Sequence, residues 1–170
     1  MTDEDETEEG SLYERIMSSF SVNPTPVCWN VLARENPSTS GYGNARSIAR
    51  IVGIIANGGV LDGRRYLSED LIREALTPQY QGDTEMFGAM SFGLGFGLDN
   101  PGFPSPVPSA VHWGGLGGYW VVIDPDKKLT VAYTMNRGMM PGLAEKGESV
   151  VMDPRQARFW RIMSELIQIL

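Results

Sequence analysis

Between Val111 and Pro125 the chain reads Val-His-Trp-Gly-Gly-Leu-Gly-Gly-Tyr-Trp-Val-Val-Ile-Asp-Pro, and this stretch limits what the rest can fold into. Both ends are rich in β-branched and aromatic residues, which fit a pleated, half-buried sheet. Between them four glycines fall within five positions. Glycine gives up backbone entropy on folding and offers no side chain to pack. A strand that keeps four of them needs something lying close against its backbone. The only histidine, His112, and two of the four tryptophans, Trp113 and Trp120, are here as well. Two readings fit: one wall of an active-site cleft, or a bulged core hairpin with no chemistry.

A chain of 170 residues is long enough for one domain with a real core. Its net charge of -7 is concentrated in Asp3, Glu4, Asp5, Glu6, Glu8 and Glu9. Without these six the chain has 15 acidic and 14 basic residues, so its body is near neutral. Residues 1–10 are therefore expected to be a solvated, disordered acidic tail. No basic stripe is available to neutralise phosphates, so no nucleic-acid partner is expected. Cys28 is the only cysteine, which leaves no disulfide framework and no Cys/His cluster at metal spacing. It reads as a small buried hydrophobe, and neither a metal nor a cofactor is expected. The acidic amino terminus is the opposite of a secretory presequence, and the longest apolar run, Ile51 to Leu61, is broken by Gly53, Asn57, Gly58 and Gly59. No membrane association is expected, and the default location is cytoplasmic.

The local signals define a coarse order of elements. Leu12, Ile16 and Phe20 recur at i, i+4, i+8, which suggests a short helix over 11–20. Residues 21–40 carry Pro24, Pro26 and Pro37 and read as an irregular connection, so that 11–40 stands apart from the body at 41–170. Asn44 is an N-cap candidate for a helix ending near Asn57, with Gly58 as its left-handed stop. That helix is apolar on most sides, as a core helix would be, with a narrow stripe of Arg46, Arg50, Gly53 and Asn57. The two arginines read as a solvated edge. Asp62-Gly63 marks a tight hairpin turn, and Ser68 caps a second helix over Glu69–Leu76. Gln79 to Met90 reads as loop. Phe92-Gly93-Leu94-Gly95-Phe96-Gly97-Leu98 has period two and reads as a strand with one bare face for close packing. No helix follows it, so it is not a dinucleotide fingerprint. Asp124 to Lys128 makes a turn between two antiparallel strands, the second over Leu129–Met135. Asp153 and Pro154 start a final amphipathic helix that should cover one face of the sheet. The order suits an α+β fold of the α/β-type sandwich kind, an antiparallel sheet with helices packed on it.

Taken in order, these segments resemble a known group. Gly41-Tyr42-Gly43-Asn44-Ala45-Arg46-Ser47-Ile48-Ala49-Arg50, Asn57-Gly58-Gly59 and Leu67-Ser68-Glu69-Asp70 are similar to the later part of β-lactamase-related serine hydrolases. Phe92 to Gly97, Trp113-Gly114-Gly115-Leu116-Gly117-Gly118, Asp124-Pro125 and Leu129 to Arg137 continue the likeness in the same order. The resemblance covers about residues 37–137 and extends to class C β-lactamases, DD-peptidases and family VIII carboxylesterases. It implies part of the serine β-lactamase and penicillin-binding-protein-like fold, and hydrolysis or acyl transfer through an acyl-enzyme. It also implies roles. Trp113, Gly114 and Gly115 look like the W-G-G variant of the third family motif, on the strand that lines the site. The backbone N–H of Leu116 would be one oxyanion-hole donor, a contribution commonly worth about 2.7–4 kcal/mol in the transition state. Gly117, Gly118 and Tyr119 would continue the substrate wall, the glycines leaving clearance for an acyl chain. An indole at position 113 offers one neutral N–H and no charge, which favours neutral esters or thioesters over carboxylated substrates. His112 would point to the other side of the strand and serve structure.

The first family motif, S-x-x-K, has no counterpart. The lysines are Lys127, Lys128 and Lys146, and three residues before them stand Asp124, Pro125 and Leu143. No G-x-S-x-G elbow replaces it. Tyr42-Gly43-Asn44 spells the second motif, Y-x-N, but falls at the helix-capping segment. The chain is thus expected to resemble the carboxy-terminal portion of a hydrolase and to be inactive alone. The alternatives are a binding scaffold of the same fold and a subunit completed by a second chain. Expected partners are a small ester or amide substrate in the complete enzyme, and either a further copy of the chain or a complementing amino-terminal chain.

Overall fold

A computed structural model of the chain describes residues 41–84, 88–102, 104–115, 118–136 and 154–169. All but Gly41 and Tyr42 belong to one unit, Gly43–Leu170. The acidic tail, the helix expected at 11–20, the connection at 21–40, Cys28 and Asp153 lie outside these residues.

Helix α1 runs Ala45–Ala56. Asn44 caps it: its backbone is extended, and its side-chain oxygen accepts from the Ser47 N–H at 3.0 Å. Gly58, at φ +62°, ends it in the left-handed region. Its burial differs from the core helix expected. Val52, Ile55 and Ala56 pack on the sheet, but Ile51 is 62% exposed. Gly53, assigned by sequence to the polar stripe, is buried; a Cβ there would lie 3.8 Å from the Thr130 hydroxyl. The stripe therefore divides into a buried glycine facing the sheet and an exposed remainder. Arg50 in that remainder pairs with Asp62 on the exposed surface.

Strands β1 (Val60–Leu61) and β2 (Arg64–Arg65) form a minimal hairpin. Asp62 and Gly63 both have positive φ, as a two-residue turn of this twist demands. Helix α2, Glu69–Ala75, is capped by the Ser68 hydroxyl, which accepts from the Leu71 N–H at 3.1 Å.

Two expectations fail here, for one connected reason. The segment read as loop folds as a hairpin, β3 (Tyr80–Thr84) against β4 (Gly88–Phe92). Tyr-Gln-Gly-Asp-Thr has weak strand character, and its conformation comes from pairing, in a register running from Tyr80 opposite Phe92 to Thr84 opposite Gly88. Conversely, the alternating run 92–98 is strand only at Phe92. Beyond it the chain bends: Gly95 has φ +84°, and the Gly93 N–H donates to the Phe96 carbonyl at 2.9 Å. The carbonyl of Ala75, exposed at the end of α2, accepts from the Leu94 N–H at 2.8 Å. A Cβ on Gly93 would overlap that oxygen. The end of α2 therefore draws the glycine-rich run out of the sheet. Close packing against its bare backbone is present, but in a turn.

The chain returns at Gly97, whose N–H and C=O exchange hydrogen bonds with His112 at 2.8 and 3.0 Å. Gly97 also bridges Phe92, so it links the β3–β4 hairpin to the main sheet. That sheet is β5 (Val111–Gly114), β6 (Trp120–Asp124) and β7 (Leu129–Tyr133), antiparallel in sequence order. The turn between β6 and β7 is closed by fully buried Asp124, which accepts from the N–H groups of Asp126 and Lys127 at 3.0 and 3.2 Å.

Alternation along the strands divides the core in two. Val111, Val121 and Ile123 turn to one face and meet Ile55 and Ala56 of α1, Ile72 of α2, and Leu98. Val122 turns to the other face and meets Met163 and Ile167 of helix α3, Pro154–Ile169. Each fully buried aliphatic side chain contributes about 1.5–3 kcal/mol relative to exposure. The final helix covers one sheet face as its apolar period implies. Among the described residues no helix is long and apolar enough to cross a membrane.

Candidate functional site

The glycine-rich stretch becomes the β5–β6 hairpin. Trp113 faces Val121, and Gly114 faces Trp120. Past the strand ends, the Gly115 N–H donates to the Tyr119 carbonyl at 3.3 Å and the Gly118 N–H to the Gly115 carbonyl at 3.1 Å. Gly118 has φ +102°, which explains a glycine there. Leu116 and Gly117, between those partners in sequence, lie outside the described residues. The structure therefore gathers Trp113, Gly114, Gly115, Gly118 and Tyr119 on one hairpin and does not describe the other two.

The pair Gly114-Gly115 has a cause that the sequence reading missed. A Cβ on Gly114 would fall 2.7–2.8 Å from the Trp120 indole, and one on Gly115 would overlap the Tyr119 ring. The space over these glycines is filled by the hairpin's own aromatic rings, rather than left clear over that backbone. The ladder leaves a different opening. His112 turns its N–H and C=O to Gly97, on the outer side of β5. In an antiparallel strand alternate residues turn these groups to the same side. Gly114 therefore points its peptide groups outward as well, past the last bridge.

His112 is 2% exposed, on the face opposite Trp113. Its ring lies 5.9 Å from that of Trp120 and 5.2 Å, edge-on, from that of Trp160. The Trp160 indole N–H donates to the Pro104 carbonyl at 2.9 Å and fixes α3 over this cluster. Burial lowers the His112 pKa from 6.5 to about 4, and the Asp99 carboxylate opposes the shift. The imidazole is neutral at physiological pH and enclosed, as a structural residue would be. Trp113, by contrast, is 45% exposed, and its ring packs edge-on against Phe92 at 5.8 Å. Phe92 in turn lies 6.4 Å from Tyr80. Neither Phe92 nor Tyr80 stands out in the sequence as a site residue. The register of the unexpected β3–β4 hairpin places them there. Among the described residues no group of three or more His, Cys, Asp or Glu side chains could hold a metal ion.

The family model for beta-lactamases matches residues 6–151, further in both directions than the motifs alone reach. The esterase/beta-lactamase LipL of Mycobacterium tuberculosis (strain ATCC 25618 / H37Rv) is 34% identical over 115 residues, covering 65% of this chain and 26% of that protein. The crystal structure of a family VIII carboxylesterase aligns with a TM-score of 0.58 at 30% identity, covering 73% of this chain and 31% of its own. A penicillin-binding protein homolog from Caulobacter crescentus aligns with a TM-score of 0.67 at 29% identity, covering 89% and 40%. The chain thus spans 26% of the length of that relative and no more than 40% of either structure. The α+β arrangement of antiparallel sheet and packed helices is the one these structures share with it. With a match over most of its length, the chain belongs to the beta-lactamase family.

Proposed function

We propose that this chain supplies the substrate wall and half of the oxyanion hole of a serine hydrolase site that cleaves esters or amides through an acyl-enzyme. The outward edge of β5 is the observation that carries this reading. Gly114 directs its peptide groups outward past the Gly97 bridge. Two residues on in sequence, Leu116 is the position whose N–H, by the family resemblance, would meet the developing oxyanion. Trp113 stands at the first position of the motif and contributes a neutral ring. The nucleophile is not provided by this chain, since no S-x-x-K is present. That LipL is called an esterase/beta-lactamase, and one structural neighbour a carboxylesterase, supports ester chemistry.

A fluorophosphonate probe tests the proposal. No serine of the 170-residue chain should be labelled. A second polypeptide that co-purifies with it and is labelled would supply the missing serine. Labelling of any serine in this chain would contradict the division of roles. One observation favours a second reading, a scaffold that binds without catalysis: Trp120 and Tyr119 fill the space over Gly114 and Gly115. That reading requires ligand binding that is indifferent to Leu116→Pro, which removes the N–H.

A further inference from the structure

Asn57 and Gly58 are the chain's only Asn-Gly pair, and they stand where α1 gives way to β1. Of the six other asparagines, Asn23, Asn36 and Asn100 precede proline, which has no backbone N–H to react. Asn57 is exposed, while Ala56 before it and Gly59 after it are buried. Gly58 has φ +62°, and a Cβ placed on it would meet nothing within 4 Å. The nitrogen that follows Asn57 thus belongs to a residue with no side chain and with open space around it. Two hydrogen bonds hold the pair in an unreactive arrangement. The Asn57 side-chain N–H donates to the Gly53 carbonyl at 2.8 Å, and the Gly58 N–H donates to the Ile55 carbonyl at 3.1 Å. With Asn57 at φ -99° and ψ 27°, the Gly58 nitrogen is directed back along the helix rather than at the side-chain carbon. The Arg65 guanidinium donates to the Gly58 carbonyl at 2.7 Å and ties the turn to β2. Helix ends open at the least cost in a fold, and neither Asn57 nor Gly58 has an apolar side chain to bury.

We propose that Asn57 is a self-modification site, converted to aspartate and isoaspartate by the Gly58 peptide nitrogen at a rate set by opening of the last turn of α1. The Gly58 nitrogen bonds to the Asn57 Cγ and gives up its proton. The Cγ–Nδ2 bond breaks, ammonia leaves with that proton, and a cyclic imide remains. Water then opens the imide. Attack at Cγ yields aspartate, and attack at the backbone carbonyl yields isoaspartate, whose main chain is longer by a carbon. Either product lacks the N–H that serves Gly53 and sets a carboxylate among the terminal carbonyls of α1, where the helix dipole disfavours negative charge. Isoaspartate also shifts Gly58 and Gly59 against Ile55 and Ile54, whose carbonyls they bond at 3.1 and 2.7 Å. The Gly59 carbonyl accepts from the Tyr66 N–H at 2.8 Å, so the β1–β2 hairpin loses a tie to α1 as well.

The test incubates the full 170-residue chain in heavy-oxygen water at mildly alkaline pH and maps its tryptic peptides by mass spectrometry. The peptide Ile51–Arg64 carries Asn57, and fragmentation separates its amide-to-acid mass gain from any change at Asp62. Conversion at Asn57 should exceed that at Asn44 and Asn136 by at least about tenfold, because glycine frees the attacking nitrogen. The guanidinium-unfolded chain should convert Asn57 faster than the folded chain. The slowing on folding should match, within about threefold, the protection of the Gly58 amide from hydrogen exchange. Arg65→Ala, checked for folding by circular dichroism, frees the Gly58 carbonyl and should raise the folded rate about threefold or more, whereas Asn44→Ala, at the other end of α1, should leave it within about twofold. Asn57→Asp should weaken the exchange protection of Gly58 and Gly59. An unmodified Asn57 in the folded chain, over a period that converts the unfolded chain, overturns the site. A folded rate equal to the unfolded one, out of step with Gly58 protection, or raised equally by Asn44→Ala, overturns control by the last turn of α1.

Discussion

His112 is expected from its strand position to serve structure, and the fold encloses it. It is the only histidine, beside a glycine-rich motif, and it ends up in a cluster with Trp120 and Trp160, its backbone bonded to Gly97. Its low pKa has a thermodynamic consequence. In the unfolded chain the ring takes up a proton near pH 6.5; in the folded chain it does so only near 4. Between those values the unfolded state binds the extra proton, so stability falls as pH falls. The full effect is about 3 kcal/mol, present above pH 6.5 and lost on reaching pH 4. Carboxylates titrate in the same window, so the informative quantity is the difference between the parent chain and His112→Gln. Urea unfolding from pH 7 to 4 should show a steeper loss in the parent than in the variant. Parallel curves would mean that His112 is not held neutral by the fold. At this scale the sequence announced a close approach at Gly114 and Gly115 but not what approaches. The answer, Trp120 and Tyr119, requires knowing that Gly114 lies opposite Trp120, which is a matter of register.

Among the elements, those whose signals are local were legible from sequence. Asn44, Gly58, Asp62-Gly63 and Ser68 each act within a few residues, and each does in the structure what its chemistry implies. The β3–β4 hairpin was illegible because its order comes from pairing. The run 92–98 was misread because the deciding group, the Ala75 carbonyl, lies well before it in sequence. Helix α3 was visible as an amphipathic stripe, and its placement makes it the lid of the second core. Ile167 is fully buried there with Met163, against Val122 and Ala110. Ile167→Ala should cost about 2–5 kcal/mol, the range for removing a large aliphatic side chain from a packed core. Ile169→Ala, two residues on and exposed, should change stability by less than about 0.5 kcal/mol. Equilibrium denaturation of the two variants provides the comparison. Equal small losses would show that α3 does not dock as described.

The molecule as a whole presents apolar surface that its own described residues do not cover. On α3, Ile162, Leu166 and Ile169 recur at i, i+4, i+7 and are exposed, forming a second apolar stripe beside the one on the sheet. At the sheet's far side, β7 pairs with β6 and has no further strand beyond it among the described residues. An unpaired edge is a template for another strand, and an exposed apolar stripe next to a core helix adds area to bury. Tyr133 of β7 packs against Phe159 of α3 with ring centroids 5.5 Å apart, so the edge and the helix meet. One associating surface can therefore use both. The chain's net negative charge of -7 acts the other way, since like charges oppose association and salt screens them. The expected behaviour of the 170-residue chain is concentration-dependent self-association that strengthens with ionic strength. Sedimentation velocity over a range of concentration and salt measures it, and Leu166→Glu combined with Ile169→Lys should move the distribution toward monomer without loss of secondary structure. A polypeptide that supplies a strand to β7 and side chains to the α3 stripe should suppress self-association in the same way. If it also carried the labelled serine, it would complete the site built on β5. A monodisperse monomer at every concentration and salt would show that the stripe and the edge are covered within the chain, and would remove the physical need for a second polypeptide.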